Sequence, residues 1–309
     1  MTAVSHYLHW LRNRWRMSAF PRARRPPHSV MILLFHGLFL SRREAECGVC
    51  DPQQGITVAF FRQFLETLLG EGIAIRELEA ALRRPEPGLT VVLTFDDGYY
   101  NNIHARTILE EFAVPATFFI STGHVVEQKS FWWDALYREG LRRGSSRSSL
   151  REQRQRLKGM RADQVEACMV RWFGPQALRP VADCDRPFTT DELATFARSP
   201  SVFLGNHTSD HGILTNYDLP GARAQVLAAQ EFLARITGTP PRSIAYPNGG
   251  YDPSVLRALH GTGLEFGLTL RTGLNVADTL QALELRRLTL WHVPNAARQA
   301  KVFGGATKW

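Results

Sequence analysis

Short apolar runs rich in β-branched and aromatic residues recur along the chain and alternate with amphipathic stretches. This rhythm constrains the fold more than any other feature. The runs are Val30–Phe35, Leu89–Phe95, Ala116–Ile120, Val202–Leu204, Ile244–Tyr246, Phe266–Leu270 and Leu285–Leu290. Most are apolar at successive rather than alternate positions, which is the pattern of a strand buried on both faces, although Leu285–Leu290 carries Arg286 and Arg287. Between the first two, Phe60, Phe61, Phe64, Leu65, Leu68 and Leu69 fall on one helical face after Thr57, and Gly70 and Gly72 end the pattern. A later helix is expected to open with Asp252 as its cap and Pro253 in its first turn, and to stop at Gly261. Strand alternating with helix over this length predicts an α/β fold, a barrel-like sheet of about seven parallel strands. The stretch from about 125 to 200 interrupts the rhythm and reads as a helical insertion. Its arginines, from Arg138 to Arg179, are expected to form a solvated face.

Residues 1–27 stand apart. They carry Arg12, Arg14, Arg16, Arg22, Arg24 and Arg25 and no acid, against a net charge of +8 for the whole chain. Val4, Tyr7, Leu8, Leu11 and Trp15 recur there at helical spacing, so a short helix would have an apolar stripe bordered by arginines. Such an arm suits peripheral contact with an anionic membrane, and a helix docked on its own domain fits equally well. Arginines interrupt every candidate signal segment, and the run from Val30 is too short to span a bilayer. The expectation is therefore a cytoplasmic protein, with residues 28–300 as one catalytic domain. Cys47 and Cys50 form a lone C-x-x-C pair without partners at zinc-ribbon spacing, and read as loop thiols. No aromatic–basic recognition motif accompanies the charge, so nucleic acid is not an expected partner.

The chemistry gathers where strands end, the place catalytic loops occupy in parallel barrels. Thr94-Phe95-Asp96-Asp97-Gly98 closes one apolar run with two adjacent carboxylates. Such a pair invites a cation, one carboxylate coordinating it while the other accepts a proton. His207-Thr208-Ser209-Asp210-His211 follows another run, and histidines four apart would project from the same side of one helical turn. Two imidazoles and a carboxylate make a three-ligand site with open positions, the form of a catalytic metal centre. One divalent ion is implied. Zinc suits these ligands and needs no redox chemistry, although iron, cobalt or nickel would fit similar ones. Ala245-Tyr246-Pro247-Asn248-Gly249-Gly250 leaves a third run in a sharp turn whose backbone N–H groups can face an oxyanion.

In this order and spacing the three elements resemble the polysaccharide deacetylases, carbohydrate esterases that share the NodB-homology domain. The resemblance spans roughly Val30 to Val293. It implies a distorted, incomplete β/α barrel, with Asp96 as catalytic base, Asp97, His207 and His211 as metal ligands, and His292 of Leu290-Trp291-His292 as the acid. Asn248 and Tyr246 would then face the oxyanion and substrate. Phe131-Trp132-Trp133-Asp134 and Leu33-Leu34-Phe35-His36 look like features of exopolysaccharide-associated members, which adds Trp133 and His36 to the substrate side, His36 as a second candidate acid. The implied reaction is metal-dependent release of acetate from an amino-sugar glycan. Alternatives are a deacylase of a lipid-linked or nucleotide sugar, a non-catalytic glycan binder of the same fold, and a non-haem iron oxygenase, whose His-x-Asp…His order is absent. The chain departs from the family at Ala245, where an arginine that orients the catalytic aspartate often stands. Arg286 or Arg287 could reach the site instead.

Overall fold

The computed structural model describes residues 26–304, so all but the last two residues of the basic N-terminal arm lie outside the described residues. One curled sheet holds nine strands: β1 (Ser29–Phe35), β2 (Ala74–Ile75), β3 (Leu89–Phe95), β4 (Ala116–Ile120), β5 (Val202–Asn206), β6 (Ser243–Ala245), β7 (Phe266–Leu268), β8 (Asn275–Val276) and β9 (Leu288–Thr289). Its order is β7-β6-β5-β4-β3-β1-β8, with β2 beside the start of β3 and β9 beside the end of β1. Every pairing is parallel except that of β8 with β1. A parallel bridge from Leu268 to Leu285 carries the curl from β7 toward β9. The result is a distorted, incomplete barrel.

All seven apolar runs contribute to strands of this sheet, and in β1 and β3 their continuous hydrophobicity has the expected cause, while Phe203 on β5 is exposed. On β1 and β3, Met31, Leu33, Phe35, Val91, Leu93 and Phe95 pack against helices outside the barrel. Val30, Ile32 and Val92 join Phe119, Ala245, Leu268 and Leu285 inside it. The outer face ends in an aromatic ladder at paired positions, with ring centroids 4.9 Å apart for Phe35–Phe95 and 4.7 Å for Phe95–Phe118.

Helices cover the outer face. The short α1 (Arg42–Ala45) precedes α2 (Val58–Gly70), whose N-cap Thr57 accepts from the Phe60 N–H and whose Phe60, Phe61, Phe64, Leu65 and Leu68 are buried. Then come α3 (Leu78–Arg83), whose Leu78, Ala81 and Leu82 join the inner cluster instead, α4 (Ile103–Phe112) and α5 (Thr122–Glu127). Between β4 and β5 the chain adds α6 (Trp132–Arg142), α7 (Arg147–Leu157), α8 (Ala162–Phe173) and α9 (Thr190–Phe196). Phe131, Trp133, Leu136, Leu150, Val165 and Met169 give α6, α7 and α8 an apolar cluster of their own. Buried Arg138 ties this unit together through Asp185 at 2.6 Å and the Ala177 carbonyl at 2.9 Å. The chain closes with α10 (Leu219–Thr237), α11 (Pro253–Leu259), capped by Asp252 through the Val255 N–H, and α12 (Ala296–Gly304). No described helix is long and apolar enough to cross a membrane.

In α5, His124 is buried against Phe131, with ring centroids 4.1 Å apart, and donates from Nδ1 to the Lys129 carbonyl. Burial, reinforced by the Lys129 charge, lowers its imidazole from 6.5 to about 3. The folded protein therefore keeps it neutral while the unfolded chain protonates it below about 6.5. Its contribution to stability is complete above that pH and is lost as the pH falls toward 3. His124→Asn keeps a donor for the carbonyl but does not titrate. Denaturant midpoints for this variant should fall less steeply than wild type between pH 6.5 and 4.

Candidate active site

Strand alternation decides which residues enter the barrel. After Val30 and Ile32 the next inward positions of β1 are Leu34 and His36, and after Val92 those of β3 are Thr94 and Asp96. On β5, Gly205 faces inward so closely that a Cβ there would lie 2.4 Å from the Phe119 ring, and the next inward residue is His207. His36, Asp96 and His207 thus meet at the strands' C-terminal rim. Asp97 is one step out of phase. The same alternation would send it outward, but its left-handed backbone (φ 78°), followed by Gly98 (φ 88°), ends the strand and turns its carboxylate back to the site.

The histidine pair converges by a route different from the helical turn expected from its spacing. Residues 207–213 form a loop in which Thr208 and His211 have φ of 64° and 50°. The Asn206 side chain accepts from the Thr208 N–H at 2.8 Å, and the Thr208 hydroxyl accepts from the Gly212 N–H at 2.8 Å. These short polar bonds hold the chain in a tight coil that a helix would not give. His207 Nε2 and His211 Nε2 each lie 3.4 Å from Asp97 Oδ1.

These three side chains offer ligand atoms within 4.8 Å of one another, and among the described residues they are the one such group of metal-ligating type. A cation fits them. His207 Nδ1 donates to the Ala245 carbonyl at 2.7 Å, so its Nε2 presents a lone pair. Burial lowers the pKa of His211, favouring neutral imidazole. Asp97 Oδ1 is buried with no hydrogen-bond donor while facing both Nε2 atoms. Burial alone would raise the Asp97 carboxyl, but the neighbouring His36, His207 and His211 hold it well below the usual range. An anionic oxygen with two imidazole lone pairs is the donor set of a catalytic divalent site.

Asp96 is held differently. Arg287 grips both its oxygens, at 2.7 and 2.8 Å, and is itself aimed by donation from Nε to the Thr269 carbonyl at 3.0 Å. Both side chains are buried, with exposures of 1% and 5%. Burial pushes the Asp96 carboxyl up, but the Arg287 charge and bidentate bond outweigh it, leaving the carboxyl below its ordinary value. Removing Arg287 would strand a buried carboxylate, a loss of roughly 3–5 kcal/mol. Of the two arginines considered from sequence, Arg287 reaches the site and Arg286 stays exposed.

Sequence reasoning missed Gln53 and Tyr99. Gln53 Nε2 donates to Asp97 Oδ2 at 3.1 Å, and the Tyr99 hydroxyl, which donates to Asp134 at 2.7 Å, receives the Trp133 indole N–H at 2.8 Å. Trp133 therefore spends its N–H on Tyr99 and turns its ring toward His211, with centroids 4.6 Å apart. No spacing signal could reveal Gln53, which lies 44 residues from its partner in the chain. Tyr99 follows the carboxylate motif directly, but nothing local marks its partner. His36 lies 4.0 Å from Asp97 Oδ2 and bonds Gln54 through Nδ1. Tyr246 packs in the helix-side cluster with Ile244, stacks on Tyr251 and donates its hydroxyl to the Leu283 carbonyl at 3.0 Å, so that hydroxyl is already engaged where the residue lines the cavity. Asn248 (φ 55°) stands exposed at the rim, and His292 lines the same cavity with its ring on Phe60, centroids 5.0 Å apart.

This cavity encloses about 1370 Å³, more than the roughly 300–1,000 Å³ of a drug-sized pocket. Buried paired carboxylates and two imidazoles, at the C-terminal rim of a parallel barrel and open to a large cleft, define a hydrolase-type centre. The polysaccharide deacetylase family model matches residues 83–267, more than half of the chain, and the chain belongs to that family. No curated protein sequence matches it. The fold is similar to that of Streptococcus pyogenes deacetylase PplD, solved in complex with acetate (17% identity, TM-score 0.61, 90% of this chain and 99% of that one). It is also similar to IcaB from Ammonifex degensii (20%, 0.57, 90% and 97%). The deacetylase domain of BpsB from Bordetella bronchiseptica is a third likeness (18%, 0.58, 86% and 97%).

Equilibrium dialysis against zinc should give one ion per chain. His207→Ala or Asp97→Ala should abolish that binding, and Gln53→Ala, which removes only a bond to a ligand, should weaken it about 10-fold.

Proposed function

We propose that the chain hydrolyses the N-acetyl group of an amino-sugar glycan in a metal-dependent reaction that releases acetate. The observation that carries this reading is the division of labour between adjacent carboxylates: Asp97 faces two imidazoles, and Asp96 is locked on Arg287. A purely structural metal site has no use for the second carboxylate. Zinc is the ion that best suits the ligand set, and a divalent ion held by Asp97, His207 and His211 would supply Lewis acidity at the acyl carbonyl and at water.

The remaining work belongs to the chain. Asp96 takes the proton of the attacking water; Arg287 keeps it ionised and aligned, the role an arginine at position 245 would otherwise have. The backbone N–H of Asn248 bonds the developing oxyanion. His292 gives a proton to the departing amine, for which its place on the cavity wall is the support. Trp133 and Trp291 offer ring surface for sugar.

The test is acetate release from N-acetylglucosamine oligomers by zinc-loaded protein. Asp96→Asn should lose at least about 100-fold in kcat while retaining zinc. Arg287→Met should lower kcat at an unchanged metal content, and His292→Ala should lower it at least about 10-fold. Silence of the loaded wild type toward every acylated amino sugar would refute the reading; near-normal turnover by His292→Ala would remove that residue alone.

A further inference from the structure

Most arginines of the insertion are exposed, as expected from sequence, Arg147 and Arg151 among them, but one row of its cations also forms a wall of the cavity. Arg147, Arg151, Arg154 and Lys158 follow one another at spacings of four, three and four, so α7 and its C-cap present them on one side, and all four line the cleft. Arg298, at the start of α12, lines it as well. Four carboxylates share the cavity, and each is already matched. Glu46 pairs with Arg42, Asp51 with Arg154 at 2.5 Å, Asp96 with Arg287, and Asp97 faces the two histidines. Arg147, Arg151 and Arg298 have no ion pair among the described residues, and Lys158 reaches only the neutral Asn248 side chain at 2.7 Å.

This row begins at the reacting centre. The Arg154 guanidinium lies 5.9 Å from the centre of the Trp133 ring, which in turn packs on His211. Lys158 holds Asn248 of the rim loop. Burial, with the adjacent Arg154, lowers the Lys158 amine from 10.5 to about 8, against the opposing pull of Asp51. Like charges lining one cleft repel, and their field attracts an anion.

Resting on the deacetylase reading above, we propose that the natural substrate carries a phosphoryl group on or beside its acylated amino sugar, bound by Arg147, Arg151, Lys158 and Arg298. Guanidinium groups match phosphate oxygens bidentately, and several uncompensated cations call for a multiply charged group rather than a single carboxylate. Phosphate could come from a nucleotide diphosphate sugar, a polyprenyl pyrophosphate sugar or a phosphodiester-linked polymer, and the chemistry recognised is the same.

Acetate release is measured from N-acetylglucosamine in each of these three forms, beside a neutral N-acetylglucosamine oligomer. At least one phosphorylated form should exceed the neutral one by tenfold or more in kcat/KM, and that form identifies the source. Arg147→Glu/Arg151→Glu should lower this preference at least tenfold, through KM, and Arg298→Glu should do so from a separate element. A neutral oligomer that equals or outruns all three forms, or a preference unmoved by either variant, overturns the proposal. If no compound releases acetate, the deacetylase reading fails for N-acetylglucosamine. The anion site is then decided by calorimetric titration of glucose 1-phosphate into the zinc-loaded protein: binding that weakens at least tenfold in Arg147→Glu/Arg151→Glu supports it, and no binding to wild type overturns it.

Discussion

Two carboxylates buried side by side at the end of β3 set the terms for the rest of the structure. Desolvating either would drive it toward the neutral acid, so each needs positive or proton-donating groups around it. The protein gives them different surroundings. Asp96, with 3% exposure, meets Arg287, which stands just before β9 in the segment that joins β1 toward β7. Asp97, with 2% exposure, meets histidines from the loop after β5 and an amide from Gln53. Because the two sets of partners differ, so do the tasks open to the two groups.

The barrel is what makes these meetings possible. His36, Asp96 and His207 enter the interior because each continues the inward phase of its strand, beyond apolar layers that exclude water. Arg287 follows the inward Leu285, whose bridge to Leu268 draws the last segment onto the sheet. That segment supplies the counter-charge that position 245 lacks. The sheet's curl and the ionisation of Asp96 are therefore linked: a chain that failed to bring Arg287 across would leave the carboxylate without its partner.

The insertion between β4 and β5 adds a second layer of control. Its cluster around Phe131, Trp133 and Leu150 is packed well enough to fix α6 and α7 beside the rim. Through Asp134, which holds Tyr99, it braces the Gln53 and Trp133 side of the Asp97, His207 and His211 group, and through α7 it gives the cleft a basic wall. The barrel holds the buried carboxylates and histidines, whereas the insertion supplies one wall of the cleft they open into, beside residues from 42–55 and 291–299.

Much of this was legible in the sequence because it follows from local periodicity. Both-face burial makes a strand apolar at successive positions, so the seven runs from Val30–Phe35 to Leu285–Leu290 could be read directly, as could the helix that starts after Thr57, the cap Asp252 and the family motifs around Asp96 and His207. What could not be read depends on contacts between distant segments. The choice of Arg287 over Arg286 turns on strand phase in a segment with little regular pairing. The histidines meet through left-handed residues, which no side-chain pattern at Thr208 or His211 announces. A row of arginines on a helix looks the same in sequence whether it faces water or a cleft. Sequence determined the strands and the chemical groups at their ends, since these rest on neighbours along the chain. Tertiary structure decided which charges are paired and which remain open, because an ion pair depends on distance in space, not on position in the chain.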